Sequence, residues 1–379
     1  MRKSGCRGVL YSMTANHIGL VFHDFSTGGS ERIAIRLANA WAEAGRRVTI
    51  FCGSEAGTAR DLVSDEVDVI ACAPEIRRGP GSRLRLGRSL GRTIGPHMPD
   101  VIFAPGNFHL LVLAVAARTR GWSCPPLVCK LSNPLLPISR FGVLAMVAGF
   151  FIRWLIAPVD RLTAMSPDLA YEAFPVLRRD DLSFIDEPIL TSAMNTLTCA
   201  GDHSGTPIIL CIGRLERQKD FALAIRAFAA LPSTSSATLV ILGEGPDRAA
   251  LLTLAQRLKV ADRVEMPGHV PDVGLWLAKA RVLLMTSRYE GFPAVLIEAR
   301  AWGVPVITTN CSAALRDILP LSIHGEIVQS RRPEAIGAAI RAQLDRPGPE
   351  PETIQAGTER YRIERIAPEY LRLFDAVAA

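Results

Sequence analysis

Two carboxylates stand close together in the segment SRYEGFPAVLIEA, residues 287–299. Glu290 and Glu298 have seven residues between them, and a Gly-Phe-Pro turn directly follows the first glutamate. The apolar run RVLLM comes just before, so the pair lies where a buried strand ends and a helix begins. Free backbone amides at a helix start attract anions. Glu298 could alternatively serve only the helix dipole, but that explanation does not account for Glu290 in a loop.

Two cations follow another apolar run, in the segment IILCIGRLERQKDF. Gly213 ends the run and allows a close backbone approach. Arg214 comes next, and Lys219 follows five residues later. The guanidinium fork and the ammonium point charge can both bind a diphosphate. Taken alone, the same residues are also compatible with a charged loop in solvent.

Two glycine pairs also follow apolar runs. Gly28 and Gly29, in HDFSTGGSERIAIRLA, open a helix and offer a second amide-rich place for an anion, although a plain strand-to-helix turn fits as well. Residues 243–245, Gly-Glu-Gly, match part of a dinucleotide fingerprint. Arg248 occupies the third glycine position and Glu244 would repel a pyrophosphate, so we reject that function.

These candidates need a scaffold that brings strand ends together. Nine short, continuously apolar runs are typical of strands covered on both faces. They are residues 17–23, 47–51, 100–104, 126–131, 161–165, 208–213, 238–243, 281–285 and 304–309. Stretches of helical period lie between them, such as 30–44 and 220–230. The alternation predicts the α/β class with parallel sheets.

The strand and helix pattern restarts near residue 207, after a polar, aperiodic segment at 191–207 that we interpret as a linker. A length of 379 residues suits two domains. We therefore predict two doubly wound Rossmann-like domains facing across a cleft, with ligands outside the carboxyl ends of the strands. Eight cysteines without a Cys-x-x-Cys pair, and a start that does not look like a signal peptide, favour a cytoplasmic protein.

Together these motifs resemble the retaining, nucleotide-sugar-dependent glycosyltransferases of the GT-B fold, in the group one glycosyltransferase family 4. The resemblance covers residues 17–330 and rests on four segments: GGSER, GRLERQKD, LGEGPDRAALLTLAQRL with VEMPGHVPD, and SRYEGFPAVLIEARAWGVPVI. It implies an N-terminal acceptor-side domain at 1–188 and a nucleotide-sugar-binding domain at 189–360. It also implies that the segment 361–379 packs back on the first domain.

The resemblance assigns roles to the charged residues. It places Glu290 near the donor sugar and Glu298 on the ribose hydroxyls of the nucleotide. Arg214 and Lys219 match the cations that neutralise the leaving diphosphate, which implies that no metal or other cofactor is required. The backbone around a further set of residues is expected to contact the donor: Gly28, Gly29, Gly213, Gly291, Phe292 and Pro293.

Three further observations bear on the reaction centre. His109, in PGNFHLL after a strand, is a candidate for approaching it, with a structural role as the alternative. Lys130 lies at the end of another predicted strand and is expected to face the cleft. The chain differs from the family that it resembles at two places. Many members carry Asn-Pro or Asn-Gly where this chain has Glu187-Pro188, and members often have glycines where this chain has NCSAAL, directly after the run 304–309.

The expected reaction moves a sugar from a UDP-sugar to a glycan or lipid-linked saccharide in surface polysaccharide biosynthesis. A GT-B sugar-nucleotide epimerase or hydrolase remains an alternative within enzymes. A non-catalytic partner subunit of a transferase is the alternative outside them. The intact residues Glu290, Glu298, Arg214 and Lys219 argue against the silent subunit.

The excess positive charge lies in the first half of the chain: residues 1–186 hold 22 basic and 16 acidic residues, and the remainder holds 21 of each. Nucleic acid is excluded as the partner, because aromatic residues make up only 6% and are not interleaved with arginines. Arg85, Arg88 and Arg92 fall on one helical face, and residues 141–158 are apolar nearly all round, as in a buried helix or a membrane contact. We predict peripheral attachment to the anionic inner face of the cell membrane, where the arginines also meet a lipid-linked diphosphate.

Overall fold

A computed structural model gives the architecture of residues 14–26, 29–119, 124–132, 135, 143–179, 181–191, 194, 205–270, 272–346 and 350–379. The chain divides into two compact units. Unit 1 comprises Met1–Pro188 together with Ile363–Ala379, and unit 2 comprises Ile189–Arg362.

Unit 1 alternates strands and helices along the chain. Its elements up to the start of unit 2 are β1 (His17–Phe22), α1 (Gly29–Glu43), β2 (Arg47–Cys52), β3 (Val67–Ala71), α2 (Ser82–Ile94), β4 (Val101–Ala104), α3 (Leu110–Ala116), β5 (Leu127–Leu131), α4 (Val143–Ile156), β6 (Arg161–Ala164), α5 (Pro167–Leu177) and β7 (Leu182–Phe184).

The strands of unit 1 form one parallel sheet in the order β3-β2-β1-β4-β5-β6-β7. The central strands are buried along nearly their whole length because helices cover both faces. The strand order reverses between β1 and β4, which makes their carboxyl ends the topological switch point of this unit. The residues that follow these two strands are 23–26 and 105–109.

The helices α2, α3, α4 and α5 form one continuous layer, in which each helix packs on the next. Leu86, Leu90 and Ile94 bury one side of α2. Gly87 lets α2 approach α3 closely, since a Cβ there would lie 2.7 Å from the Val115 Cβ. The glycine that would weaken an isolated helix therefore serves helix packing.

Unit 2 repeats the alternation. Its elements are β8 (Ile208–Ile212), α6 (Phe221–Ala229), β9 (Thr238–Leu242), α7 (Arg248–Arg257), β10 (Val264–Gly268), α8 (Gly274–Leu277), β11 (Ala280–Met285), α9 (Ala294–Ala301), β12 (Val306–Thr309), α10 (Leu315–Ile318), β13 (Gly325–Val328), α11 (Pro333–Asp345) and α12 (Pro351–Gln355). The parallel sheet has the order β10-β9-β8-β11-β12-β13, so its switch point lies between β8 and β11.

The last helix, α13 (Ile363–Ala378), belongs to unit 1 and packs on α1. Four large aromatic side chains hold it there by tilted and edge-to-face ring contacts: Trp41, Phe103, Tyr370 and Phe374. Arg46 adds an ion pair to Asp375 at 3.0 Å. The helix α13 thus adds buried aromatic side chains to the hydrophobic core of unit 1.

The predicted α/β class with two doubly wound parallel sheets is confirmed, and all nine predicted strands are present. Four strands were not predicted: β3, β7, β10 and β13. The six cysteines in the described part are free thiols. None of the helices in that part combines the length and the apolarity needed to cross a bilayer.

The expectation that Lys130 faces an open cleft is wrong. Its ammonium is buried and lies 2.7 and 3.0 Å from the two carboxylate oxygens of Glu187, which is also buried. A buried charge needs such a partner because it has lost its hydration. Glu187, a position at which the chain differs from the family that it resembles, is therefore the counter-ion of Lys130.

Candidate active site

The end of β11 holds a carboxylate between two donors. The Ser287 hydroxyl donates to Oε1 of Glu290 at 2.6 Å, and the Lys219 ammonium donates to the same oxygen at 2.7 Å. Ser287 is buried, while the side chain of Lys219 remains 22% exposed. Charge-assisted hydrogen bonds of this length are the strong ones. Glu290 is therefore held in one orientation, and the Lys219 cation stays accessible beside it.

The loop after β8 presents the two predicted cations differently. Gly213 has φ of 152°, and a Cβ there would lie 3.1 Å from the Lys219 side chain, so the glycine makes room for the lysine stem. The Arg214 side chain is 61% exposed, and its guanidinium lies 3.5 Å from the carboxylate of Glu216, which makes a loose ion pair. Lys219 is fixed by Glu290, whereas the Arg214 guanidinium is accessible to an anion from solvent.

Hydrogen bonds join the loop after β8 to the loop after β11. The Arg288 amide donates to the Gln218 carbonyl at 2.8 Å, and the Gln218 side chain donates to the Tyr289 carbonyl at 3.0 Å. Thr286, at the end of β11, donates through its hydroxyl to the carbonyls of Lys219 and Asp220. These bonds set the spacing between the Lys219 cation and the Glu290 carboxylate.

Asp220 is a second charged centre of this site and was not predicted from the sequence. Its carboxylate lies 2.9 Å from Arg288 and 2.8 Å from Arg331. Arg331 also donates to the carbonyls of Thr286 and Ser287, so it joins the residues after β13 to the end of β11. The backbone of Asp220 is left-handed, with φ 49° and ψ 47°, which aspartate tolerates better than most residues.

The end of a third strand, β12, forms hydrogen bonds with the loop that carries Glu290. The Thr309 hydroxyl donates to the Ser287 carbonyl at 2.8 Å, and the Glu290 amide donates to the Cys311 carbonyl. The Ser312 hydroxyl donates to the Gly291 carbonyl at 2.9 Å. Hydroxyl residues at the ends of β11 and β12 were the sequence signal that could have revealed this support.

The segment after Glu290 leads directly into α9. Pro293 precedes the first helical residue, and Phe292 packs near Tyr361 with ring centroids 6.1 Å apart. Glu298 lies one turn into the helix and is half-buried. Arg300, two residues further along α9, is fully buried and donates to the carbonyls of Ile318, Ile354 and Ala356. Burial lowers the pKa of Arg300, and its role is to anchor the helix that carries Glu298.

The residues 243–245 have a structural function. Gly243 has φ of 131°, and a Cβ there would lie 2.0 Å from the Gly213 carbonyl oxygen. A Cβ at Gly245 would lie 2.4 Å from the Leu215 carbonyl oxygen. The two glycines let the loop after β9 pack on the backbone that carries Arg214. This agrees with the rejection of a dinucleotide site.

The remaining predicted site residues belong to unit 1. Gly29 is the first residue of α1, while Gly28 lies outside the described residues. His109 is buried at the end of β4, and burial lowers its pKa to about 3. Its imidazole is therefore neutral at physiological pH and cannot act there as a cation. Its predicted approach to the reaction centre stays a prediction.

Within the described residues, no three His, Cys, Asp or Glu side chains form a group that could hold a metal ion. In unit 2, the structure brings Lys219 and Glu290 together at the switch point, with the backbone of Gly213 against the lysine side chain. Arg214 adjoins Gly213 in the chain, and its side chain is exposed. A carboxylate fixed by a cation, with an exposed guanidinium in the loop that carries the cation, can bind a polyhydroxyl group and an anion.

Comparisons with known proteins agree with this arrangement. The sequence model described as "Glycosyl transferases group 1" matches residues 201–360, and the one described as "Glycosyl transferase 4-like domain" matches residues 28–176. A lipopolysaccharide core biosynthesis glycosyltransferase of Rhizobium meliloti is 27% identical over 303 residues, which is 76% of this chain and 78% of that one.

One further relative and one solved structure extend the comparison. The Campylobacter jejuni N-acetylgalactosamine-N,N'-diacetylbacillosaminyl-diphospho-undecaprenol 4-alpha-N-acetylgalactosaminyltransferase is 31% identical over 137 residues, covering 36% of this chain and 37% of that one. The crystal structure of Anabaena HepE in complex with UDP and glucose superposes with a TM-score of 0.76 at 18% identity, covering 95% of this chain and 99% of that one. The chain therefore belongs to the glycosyltransferases, as an enzyme of the GT-B fold with a glycosyl transferase 4-like domain followed by a group 1 domain.

Proposed function

We propose that the chain is a retaining glycosyltransferase that moves a sugar from a UDP-sugar to a glycan or lipid-linked saccharide in surface polysaccharide biosynthesis. The observation that carries the proposal is the Glu290 carboxylate at the switch point of unit 2, held by Lys219 and Ser287 at 2.7 and 2.6 Å. A carboxylate fixed in this way offers its remaining lone pairs to sugar hydroxyls. The adjoining cation meets the diphosphate.

The donor is assigned from the chemistry of the site and from the relatives. Arg214 and Lys219 supply the positive charge for a diphosphate, and Glu298 on α9 supplies a carboxylate for two vicinal ribose hydroxyls. The backbone of Gly213, Gly291, Phe292 and Pro293 completes the donor contacts. HepE has been crystallised with UDP and glucose, which favours UDP as the nucleotide for this chain.

The acceptor class is inferred from two relatives. One acts in lipopolysaccharide core biosynthesis, and the other transfers to a diphospho-undecaprenol-linked sugar. Both relatives are named for saccharides that carry a lipid, a lipopolysaccharide in one case and a diphospho-undecaprenol-linked sugar in the other. We therefore assign a saccharide of a surface glycan, free or linked to lipid, as the acceptor of this enzyme.

The mechanism follows from where charge develops. Breaking the bond between the anomeric carbon and the nucleoside diphosphate leaves positive charge on the sugar ring and adds negative charge to the leaving phosphate. Lys219 and Arg214 stabilise that leaving charge most in the transition state, so they raise turnover more than donor affinity. The Glu290 carboxylate orients the sugar and limits the movement of Lys219.

The decisive experiment measures release of nucleoside diphosphate from a panel of nucleotide-sugars, with and without short saccharide acceptors. We expect UDP release that increases when an acceptor is added, and a product with the anomeric configuration of the donor by NMR. Free sugar released at the same rate without acceptor would identify a hydrolase. An interconverted sugar nucleotide would identify an epimerase, and no turnover of any donor would support a silent subunit.

A further inference from the structure

The helix α4 is apolar on two opposite sides, and only one of them is covered. Gly149, Ile152 and Ile156 lie on the buried side. Four large side chains at helical spacing are exposed on the other: Val147, Phe150, Phe151 and Trp154. A helix that is apolar all round is normally enclosed on every side. The exposed side of α4 is therefore an apolar surface without a partner in the described part of this chain.

The helix α5 packs on α4 and carries two more exposed aromatic side chains. Tyr171 and Phe174, one turn apart, are 84% and 51% exposed. The six exposed residues of α4 and α5 are drawn from only fifteen exposed large hydrophobic residues in the described chain. Isolated exposed apolar residues are ordinary, but a contiguous group marks a contact surface. We call these six residues the aromatic patch.

Arginine accompanies the aromatic patch. Phe151 and Trp154 stack with ring centroids 5.9 Å apart and nearly parallel planes, and the Arg118 guanidinium lies 4.3 Å from the Trp154 ring. Arg118 is exposed and is further fixed by donating to the Ala114 and Trp154 carbonyls. A cation is thus held at the edge of the apolar surface.

The helix α2, in the same helical layer, carries the excess charge. Arg85, Arg88 and Arg92 are all exposed, and none forms an ion pair with another described residue. The helices α2 to α5 contain five arginines, and their only acidic residues are Asp168 and Glu172 in α5. The layer therefore presents an excess of positive charge together with exposed aromatic rings.

We propose that the helical layer α2–α5 docks on an anionic lipid bilayer, with the aromatic patch inserted at the interface and the arginines of α2 on the headgroups. Trp, Tyr and Phe suit the boundary between headgroups and acyl chains, and each Lys or Arg near such a surface adds attraction. A bilayer supplies apolar volume and negative charge in one partner. A second copy of this chain docked through the same layer would add five more arginines and only two more acidic residues, so like charges would repel.

The experiment is co-sedimentation of the full chain with vesicles of phosphatidylcholine alone or mixed with phosphatidylglycerol, at low and high salt. One variant combines Phe150→Ser, Tyr171→Ser and Phe174→Ser. Its matched control combines Leu62→Ser, Leu252→Ser and Leu275→Ser, which are exposed outside the aromatic patch. A third variant combines Arg85→Gln, Arg88→Gln and Arg92→Gln.

We expect the parent and the leucine control to bind mixed vesicles alike. The aromatic variant should bind at least about tenfold more weakly at both salt concentrations, because burial of apolar surface is insensitive to salt screening. The arginine variant should lose on the order of 100-fold on mixed vesicles at low salt and little on neutral ones. All four proteins should bind UDP alike in calorimetric titration, so this test is independent of the proposed donor site.

Two results would overturn the proposal. One is an aromatic variant that sediments with mixed vesicles like its leucine control. The other is a parent that is dimeric by light scattering and becomes monomeric in the aromatic variant while vesicle binding is unchanged. That second result would identify another copy of the chain as the occupant.

Discussion

The ammonium of Lys219 and the hydroxyl of Ser287 share one oxygen of Glu290, at 2.7 and 2.6 Å. The lysine and the glutamate are 71 residues apart in the chain, and a strand end supplies each of them. The effect of removing either one therefore includes the release of the other. A double-mutant cycle on Lys219 and Glu290 separates their coupling from their individual contacts with the donor.

Removal of the two cations should lower turnover more than donor affinity. We expect Lys219→Ala and Arg214→Ala each to lose about 3 kcal/mol of transition-state stabilisation, or on the order of 100-fold in kcat. Dissociation constants for the intact donor should change far less. Arg226→Ala, at an exposed arginine of α6, is the matched control. Near-normal turnover in both variants, or activity that strictly requires added magnesium, would count against this site.

Removal of the Glu298 carboxylate on α9 should weaken nucleotide binding and leave the fold intact. We expect Glu298→Gln to weaken UDP binding about tenfold, since an amide oxygen is a poorer acceptor for two hydroxyls than a carboxylate is. Calorimetric titration with UDP measures the change, and circular dichroism checks that the fold is intact. Glu334→Gln, at an exposed glutamate of α11, should bind UDP like the parent. An unchanged affinity in the Glu298 variant would rule out the ribose role.

The fold could be predicted from the sequence except at the edges of its two sheets. All four strands that were missed, β3, β7, β10 and β13, are edge strands. Their residues alternate or mix burial classes, as in the pattern of β10, where buried and exposed positions alternate. A search for continuously apolar runs finds strands that helices cover on both faces, and an edge strand is covered only in part.

The site could be predicted only where its residues directly follow a central strand. Glu290, Lys219 and Gly213 lie together as their positions implied. Asp220 and Arg331 were missed because their ion pair joins residues 111 positions apart, and nothing local to either residue indicates the other. Lys130 lies within β5, and its burial depends on an ion pair with Glu187, which is 57 positions away in the chain and follows β7.

Asp220 should stabilise unit 2 through its charge and its backbone together. Asp220→Asn keeps a residue that tolerates the left-handed conformation and removes the charge that faces Arg288 and Arg331. We expect a loss of about 1 kcal/mol, because both arginines are partly solvated. Asp220→Ala should lose about 1 kcal/mol more from backbone strain. Urea unfolding measures both values, and an alanine variant as stable as the asparagine variant would contradict the strain argument.

Acid should weaken unit 1 through its buried histidines. Burial lowers the pKa of His109 to about 3 and also lowers the pKa of His23, so the unfolded chain binds protons at a higher pH than the folded chain does. The stability that these groups contribute is present above their unfolded pKa of about 6.5. It is lost as the pH falls from there toward 3, at up to about 1.4 kcal/mol per pH unit for His109.

Between pH 7 and pH 5 the contribution of His109 should therefore fall by about 2 kcal/mol. Hydrogen exchange of the amides in β1 and β4 measures the stability of unit 1 at the two pH values. The variant His109→Gln should show a smaller loss of protection than the parent, and His269→Gln, at an exposed histidine of unit 2, should match the parent. Equal losses in the parent and in His109→Gln would show that the imidazole is not held neutral by burial.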